Sequence, residues 1–573
     1  MVWIKLSLLG CLCLLLPLHS CSGRSDLLWL DATVPLEGSP TYTYRILDHW
    51  DNLDDSVERG YAGPSIWGWT EEEIPVSRID RYGRLNQKLG INGIVLNNVN
   101  AAPAILDEWH LRRVAGIADI LRPYGIRVYL SVNFASPATL GGLSTADPLD
   151  PCVIAWWAGK VDEIYAQVPD FGGFLVKASS EGQPGPQDYG RSHAEGANML
   201  ADALDAHGGI LLWRAFVYAP NSPDRARQAY DEFVPLDGQF RSNVSIQVKN
   251  GPVDFQPREP FSPLFGGMLA TSVSPELQIT MEYLGQASSL VFLAPLWEEC
   301  LQSDTYRDGP GSTVAALTSS APVSAIAGVA NVGQSPDWCG NLFNQANWYA
   351  FGRLAWNPAL SSEQIAEEWL RITFPKPLLI SKKCFTRHFI EPMKAVMLSS
   401  REACVDYMMP LGLHHLFAWE HHFGPDPACR VPGAREDWLP AYYHRAGPDG
   451  IGFDRTRETG SGAVDQYNPP LADRFNSLEA CPEKLLLWFH HVPWDYRMHS
   501  GLTLWEELQQ HYSRGVEQVR QYRAVWAGMK PYVNARRHAQ VSALLEKNEQ
   551  DAARWRDVCL DYFRTFAEQT ENQ

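Results

Sequence analysis

The sequence predicts a (β/α)8 barrel followed by a mostly α-helical C-terminal domain. Eight β-branched or apolar runs, at 41–63, 90–101, 124–137, 171–181, 208–218, 243–255, 277–285 and 325–333, alternate with helix-like segments. Such alternation specifies parallel strands with crossover helices, and eight units close a barrel. No glycine-rich nucleotide fingerprint follows any run, which argues against an open doubly wound sheet. From about residue 341 the strands stop and amphipathic helical stretches begin. The predicted organisation is a leader at 1–21, a lead-in at 22–40, the barrel at 41–340 and the helical domain at 341–573.

Each element has a local cause. The runs 41–63 and 90–101 break from strand into loops rich in Asp, Asn and Trp. Between later runs, DEWHLRRVAGIADILRPYG (107–125) and AEGANMLADALDAHG (194–208) carry helical periodicity, and the second ends in Gly as a helix stop should. The fourth run, FGGFLVKASSEGQPGPQDYG (171–190), opens on two glycines, continues as a short apolar strand and ends in Lys177 and a Gly/Pro-rich loop holding Glu181. Beyond 341, NQANWYAFGRLAWN, SSEQIAEEWLRIT and LTLWEELQQHYSRGVEQVRQYRAVWAGM read as helices. A Trp/His/Gly/Pro-rich section at 411–498 reads as irregular, and the region from about 341 as a whole reads as a second, mostly helical domain packed against the barrel mouth.

Composition narrows the function classes. The 573 residues carry a formal net charge of −18, which argues against nucleic acid or an anionic membrane surface as the main partner. The 21 Trp, 22 Tyr and 22 Phe suit both cores and surfaces that stack on sugars. Of 11 Cys, three fall in the leader; the other eight are scattered without CxxC or zinc-like spacing, so they read mainly as buried small hydrophobes. The leader MVWIKLSLLGCLCLLLPLHSCSG is too short to span a bilayer comfortably and reads as an export signal. Leu18-His19-Ser20-Cys21 resembles a lipoprotein cleavage box with a lipid anchor on Cys21, which predicts a periplasmic or envelope-associated protein; plain secretion is the alternative.

The strand ends carry the chemistry. The first delivers Trp50, Asp51, Asn52 and Asp54; the second Asn97 and Asn98; the fourth Lys177 and Glu181; the fifth Arg214; the sixth Lys249 and Asp254; the seventh Glu282. The C-terminal rim of a barrel is where active sites are built. Glu181, Asp254 and Glu282 suit acid/base hydrolysis, in which one acid protonates the leaving group and a base activates water. Lys177, Arg214 and Lys249 exceed what charge balance needs, which predicts a carboxylate-bearing substrate. Each residue alone is more often a structural ion pair; their joint occurrence on successive strand ends favours a site. His414, His415, His421 and His422 lack the spacing of a metal motif, and no GxSxG elbow is present, so no metal or cofactor is expected.

HWDNLDDSVERGYAG (49–63), VKASSEGQPGPQDYGRSHAEGANMLA (176–201), WRAFVY (213–218) and SIQVKNGPVDFQPREPFSPLFG (245–266) resemble the α-glucuronidases of glycoside hydrolase family 67. The resemblance continues through LQITMEYLGQ (277–286), NWYAFGRLAWNP (347–358), AYYHRAGPDGIGFDR (441–455) and LLLWFHHVPWDYRM (485–498). It implies a barrel with a helical domain and metal-free, inverting removal of α-1,2-linked D-glucuronic acid or its 4-O-methyl ether. The substrate it implies is a small acidic xylooligosaccharide, cut at the non-reducing-end xylose. It places the general acid on Glu181, the base on Asp254 and Glu282, and the uronate-binding cations on Lys177, Arg214 and Lys249. Val99 matches a small apolar position near O4 of the sugar, and Trp50 and Trp438 match aromatic walls. A homodimer through the C-terminal domain is also implied.

These roles carry physical demands. Glu181 must hold a proton against three nearby cations, and the base pair must leave room for water, at roughly 6.5–9.5 Å in an inverting enzyme. Two departures from the family stand out: only about 20 residues, counted from Cys21, replace the usual N-terminal β-rich domain, and Asp55 occupies a usual Gly position. If that turn needs a positive φ, Asp tolerates it better than most residues, so a small effect is expected. Hydrolysis of a different α-linked uronide, or non-catalytic glycan binding, are the competing readings; the second does not need all three carboxylates.

Overall fold

The computed structural model describes residues 32–217, 223–420 and 422–570. The predicted leader, with Cys21, lies outside them, as does His421. Among the described residues no helix is long and apolar enough to cross a membrane.

Eight strands, β1 (Tyr44–Asp48), β2 (Gly93–Val95), β3 (Arg127–Ser131), β4 (Gly173–Val176), β5 (Ile210–Arg214), β6 (Val244–Lys249), β7 (Ser272–Gln278) and β8 (Ala325–Val329), form a closed barrel in chain order. All pairs are parallel, and β8 closes on β1 from Tyr44↔Ala325 to Asp48↔Val329. β4 to β7 are buried at every position, because the barrel interior covers one face and the helices the other. The double glycine before Phe174 is a packing requirement. At Gly173, with φ +137°, a Cβ would lie 1.9 Å from the Ile210 carbonyl oxygen of the neighbouring strand.

The seventh strand differs from its predicted span. It runs over Ser272–Gln278, so Ile279 to Gly285 form the loop beyond it and Glu282 sits four residues past the strand end. Pro275 hides the strand in the sequence, since proline reads against a central strand; here it pairs in register with Val248.

Local signals set the helices. Asp107 caps Glu108–Leu121 by accepting from His110 N–H at 2.8 Å, and Ser192 with Glu195 forms a capping box on His193–Asp205. The helix Asn344–Trp356 is not amphipathic in its setting: every residue but Trp356 is buried. A Cβ on Gly328 of β8 would lie 2.8 Å from its Phe351 ring, and Arg353 pairs with Glu368 at 2.8 Å, so barrel and helical layers cover both its sides.

Farther on, the helices Glu391–Met408, Leu504–Ala527 and Ala535–Thr570 pack together. The section 411–498 holds only short helical turns and lies over the barrel mouth. A buried ion pair of Arg455 with Asp224, at 2.9 Å, fastens it there. All eight cysteines outside the leader are free thiols.

Candidate active site

A pocket of about 300 Å³ opens at the C-terminal end of the barrel. All nine residues singled out above for chemistry or binding line it: Trp50, Val99, Lys177, Glu181, Arg214, Lys249, Asp254, Glu282 and Trp438. The other polar residues of the strand ends do not. Asn97 braces β3 by bonding the Ser131 backbone on both sides, and Asn98 binds Glu58 and Asn52. Asp51 is buried against His49 and Ser65, and Asp54 turns back to Ser56.

Glu181 stands on a tight turn in which Gln183 N–H donates to the Ser180 carbonyl at 2.9 Å. Glu181 (φ +51°) and Gly182 (φ +77°) both adopt left-handed backbone, as the central residues of a primed turn do. A glutamate held there is strained by its Cβ, a cost typical of functional positions. Its carboxylate is ion-paired with Lys177 at the end of β4. Burial pushes the Glu181 carboxyl up, but Lys177 and then Lys249 outweigh it, and its pKa lies below the usual glutamate value. The Lys177 pair therefore favours the ionised form of Glu181, opposite to what a general acid needs.

Asp254 follows β6. Its Oδ1 accepts from Lys249 Nζ at 2.7 Å and from Phe255 N–H at 3.0 Å, and its Oδ2 from the Tyr283 hydroxyl at 2.7 Å. Burial alone would raise its pKa; Lys249 and Arg225 hold it far below the usual carboxylate range. Beneath this loop the buried Glu259 accepts both the Val253 and Asp254 N–H groups at 2.9 Å and faces His414 at 3.1 Å. Burial pushes Glu259 up to about 8.

Glu282 is held from three directions. Arg59 Nε lies 2.9 Å and His422 Nδ1 2.7 Å from Oε1, while Gln278 Nε2 donates to Oε2 at 2.7 Å. His422 arrives on a hairpin closed by the Phe417↔Pro425 bridge, which also brings Trp419 and Glu420 to the pocket. Trp419 and Trp438 lie 6.2 Å apart at the rim.

The three cations named above converge on one aromatic ring. Lys249 Nζ, Lys177 Nζ and the Arg214 guanidinium lie 3.5, 5.1 and 5.3 Å from the centroid of Phe216. The guanidinium also lies 5.4 Å from the Trp50 ring. Among the described residues, neither Arg214 Nη2 nor Trp50 Nε1 has a hydrogen-bond partner, although both are buried. Such unmet donors suit an incoming oxygen ligand.

The charge argument needs correction. The cations do not outnumber the anions: Arg59, Lys177, Arg214, Arg225 and Lys249 line the pocket with Glu58, Glu181, Asp254, Glu282 and Glu420. Arg214 is paired in addition with Glu276 of β7 at 2.9 Å, below the pocket. Sequence reasoning missed Glu276 because its strand was misplaced. It missed Arg225 because SPDRARQAYDE reads as a solvated helix start; the WRAF run, which places an aromatic two residues past Arg214, was the available signal for Phe216.

The fold and site together define a (β/α)8-barrel protein whose mouth brings together three carboxylates and three clustered cations, a set of groups suited to acid/base chemistry. Residues 31–338 match the glycosyl hydrolase family 67 middle domain, and residues 339–573 match the family 67 C-terminus. The chain belongs to glycosyl hydrolase family 67. It is 42% identical over 542 residues to "Probable alpha-glucuronidase A" of Neosartorya fischeri and 41% identical over 548 residues to "Alpha-glucuronidase" of Hypocrea jecorina. Each alignment covers 92% of this chain and 63% of the relative.

Proposed function

We propose that this protein hydrolyses α-glucuronosidic bonds, releasing D-glucuronic acid or its 4-O-methyl ether from the non-reducing-end xylose of xylooligosaccharides, with inversion. One observation carries the reading: Lys177, Arg214 and Lys249 surround a single ring beside three carboxylates in one pocket. A sugar carboxylate is the ligand that matches this cluster, and the sugar ring then lies between Trp50 and the Val99 side of the pocket.

In this mechanism Glu181 donates its proton to the glycosidic oxygen as the bond to the anomeric carbon breaks. Asp254 and Glu282 face the opposite side and orient a water, one of them accepting its proton as oxygen bonds to the anomeric carbon. Lys177, Arg214 and Lys249 hold the uronate so that the reacting atoms stay aligned. The test is chromatographic detection of uronic acid release from 4-O-methylglucuronosyl xylotriose. Release from the uronide and none from a neutral α-glucosyl analogue is the expected result; equal rates on both contradict the reading.

A further inference from the structure

Every cation of the cluster around Phe216 already has an anion. Lys177 pairs with Glu181, Lys249 with Asp254 and Arg214 with Glu276. A uronate entering the cluster must therefore crowd against a carboxylate or replace one. Two like charges at one buried site are strongly disfavoured, and the usual escape is that one of them takes up a proton.

The three partners are not equally replaceable. Glu276 is 1% exposed and binds Arg214 Nε through both oxygens, and Asp254 is 8% exposed and carries Tyr283 and a backbone N–H besides Lys249. Glu181 is 37% exposed, and among the described residues Lys177 is its one polar partner. It stands on a turn, so it can swing away without moving β4. Lys177, by contrast, is 2% exposed, and among the described residues its one other hydrogen-bond partner is the neutral Asn100 amide oxygen, at 2.8 Å, beside the face of Phe216. A buried ammonium needs an anion from somewhere.

We infer that the substrate's carboxylate takes the place of Glu181 on Lys177, and that Glu181 leaves this pair by accepting one proton from solvent. The inference rests on the uronate reading above. Its consequence is that the free site is held unarmed and the uronate itself loads the acid that will serve the leaving oxygen. The groups that set the exchange are Lys177 just past β4, Lys249 and Asp254 from β6 and its loop, and, through Lys177, Arg214 and Glu58. Lys177 and Lys249 now hold Glu181 below its usual value; once the uronate neutralises them, the negative charges of the uronate and of Asp254 act in the opposite direction.

The experiment is calorimetric titration of the protein with sodium D-glucuronate at about pH 6, in buffers of different ionisation enthalpy. Glucuronate is ionised there, so any proton taken up is bound by the protein. Uptake approaching one proton per glucuronate, falling to near zero in Glu181→Gln, is the expected result. Affinity of the wild type should weaken about tenfold per pH unit across the same window, and that of Glu181→Gln should not. Binding without proton uptake, or uptake that persists in the variant, overturns the exchange while leaving the uronate site standing. If the variant does not fold, the wild-type pH slope decides alone. No glucuronate binding at all overturns the uronate reading and the exchange with it.

Discussion

His422, carried by a hairpin of the C-terminal region, binds the same oxygen of Glu282 that Arg59 of the first barrel loop binds, at 2.7 and 2.9 Å. Arg59 also donates to the Glu420 carbonyl at 3.1 Å, so the barrel loop, the hairpin and Glu282 form one unit. His422→Ala should lower kcat by about ten- to hundredfold with little change in KM, because a misaligned base loses orientation, not sugar contacts. Steady-state kinetics on the xylotriose uronide check this. A rise in KM with unchanged kcat would instead make His422 a sugar-binding group.

Replacing Glu181, the proton donor of the proposed mechanism, should leave the cations around Phe216 in place. Glu181→Gln should reduce kcat by about 10²- to 10⁴-fold, the range general acid catalysis supplies, while glucuronate still binds. Parallel kinetics and titration give both numbers from one preparation.

The turn at Asp55 separates two effects of a glycine. Asp55 has φ +65°, so its Cβ is strained, yet its carboxylate accepts from Trp69 N–H at 2.6 Å, from Thr70 N–H at 3.0 Å and from the Thr70 hydroxyl. Asp55→Gly relieves the strain and loses all three bonds, whereas Asp55→Ala loses the bonds and keeps the strain. Denaturant unfolding should rank wild type, then Gly, then Ala, with about 1 kcal/mol between the two variants.

Two buried acids make the protein less stable in alkali. Burial and the nearby Glu276 push Asp48 up to about 8, and burial does the same to Glu259. Each folded carboxyl keeps a proton that the unfolded chain has released above its ordinary value near 4. The stability they contribute is therefore fully present below that value and is lost as pH rises to about 8, at up to about 1.4 kcal/mol per pH unit for each group. Asp48→Asn should flatten the fall of Tm between about pH 6 and 8; an unchanged slope would remove Asp48 from the account.

The barrel is legible because β-branched runs recur with helices between them, and its rim is legible because a polar residue ending a buried run is unusual. β7 was displaced in the reading by Pro275, and with it went Glu276, the partner that changes the charge count. Glu181, Asp254 and Glu282 stand out from their own loops, but what holds them does not. His422 and Arg59 reach Glu282 from segments far apart in the chain, and no local pattern announces that meeting. Lys177 and Glu181 lie four residues apart, yet only the turn with left-handed Glu181 and Gly182 shows that they face one another.

The most direct test of the central claim is NMR of the first uronic acid released from 4-O-methylglucuronosyl xylotriose, recorded before mutarotation. The account predicts the β-anomer first, since water activated by Asp254 and Glu282 attacks opposite the bond that Glu181 protonates. An initial α-anomer would mean retention through a covalent intermediate and would contradict the roles given to all three carboxylates.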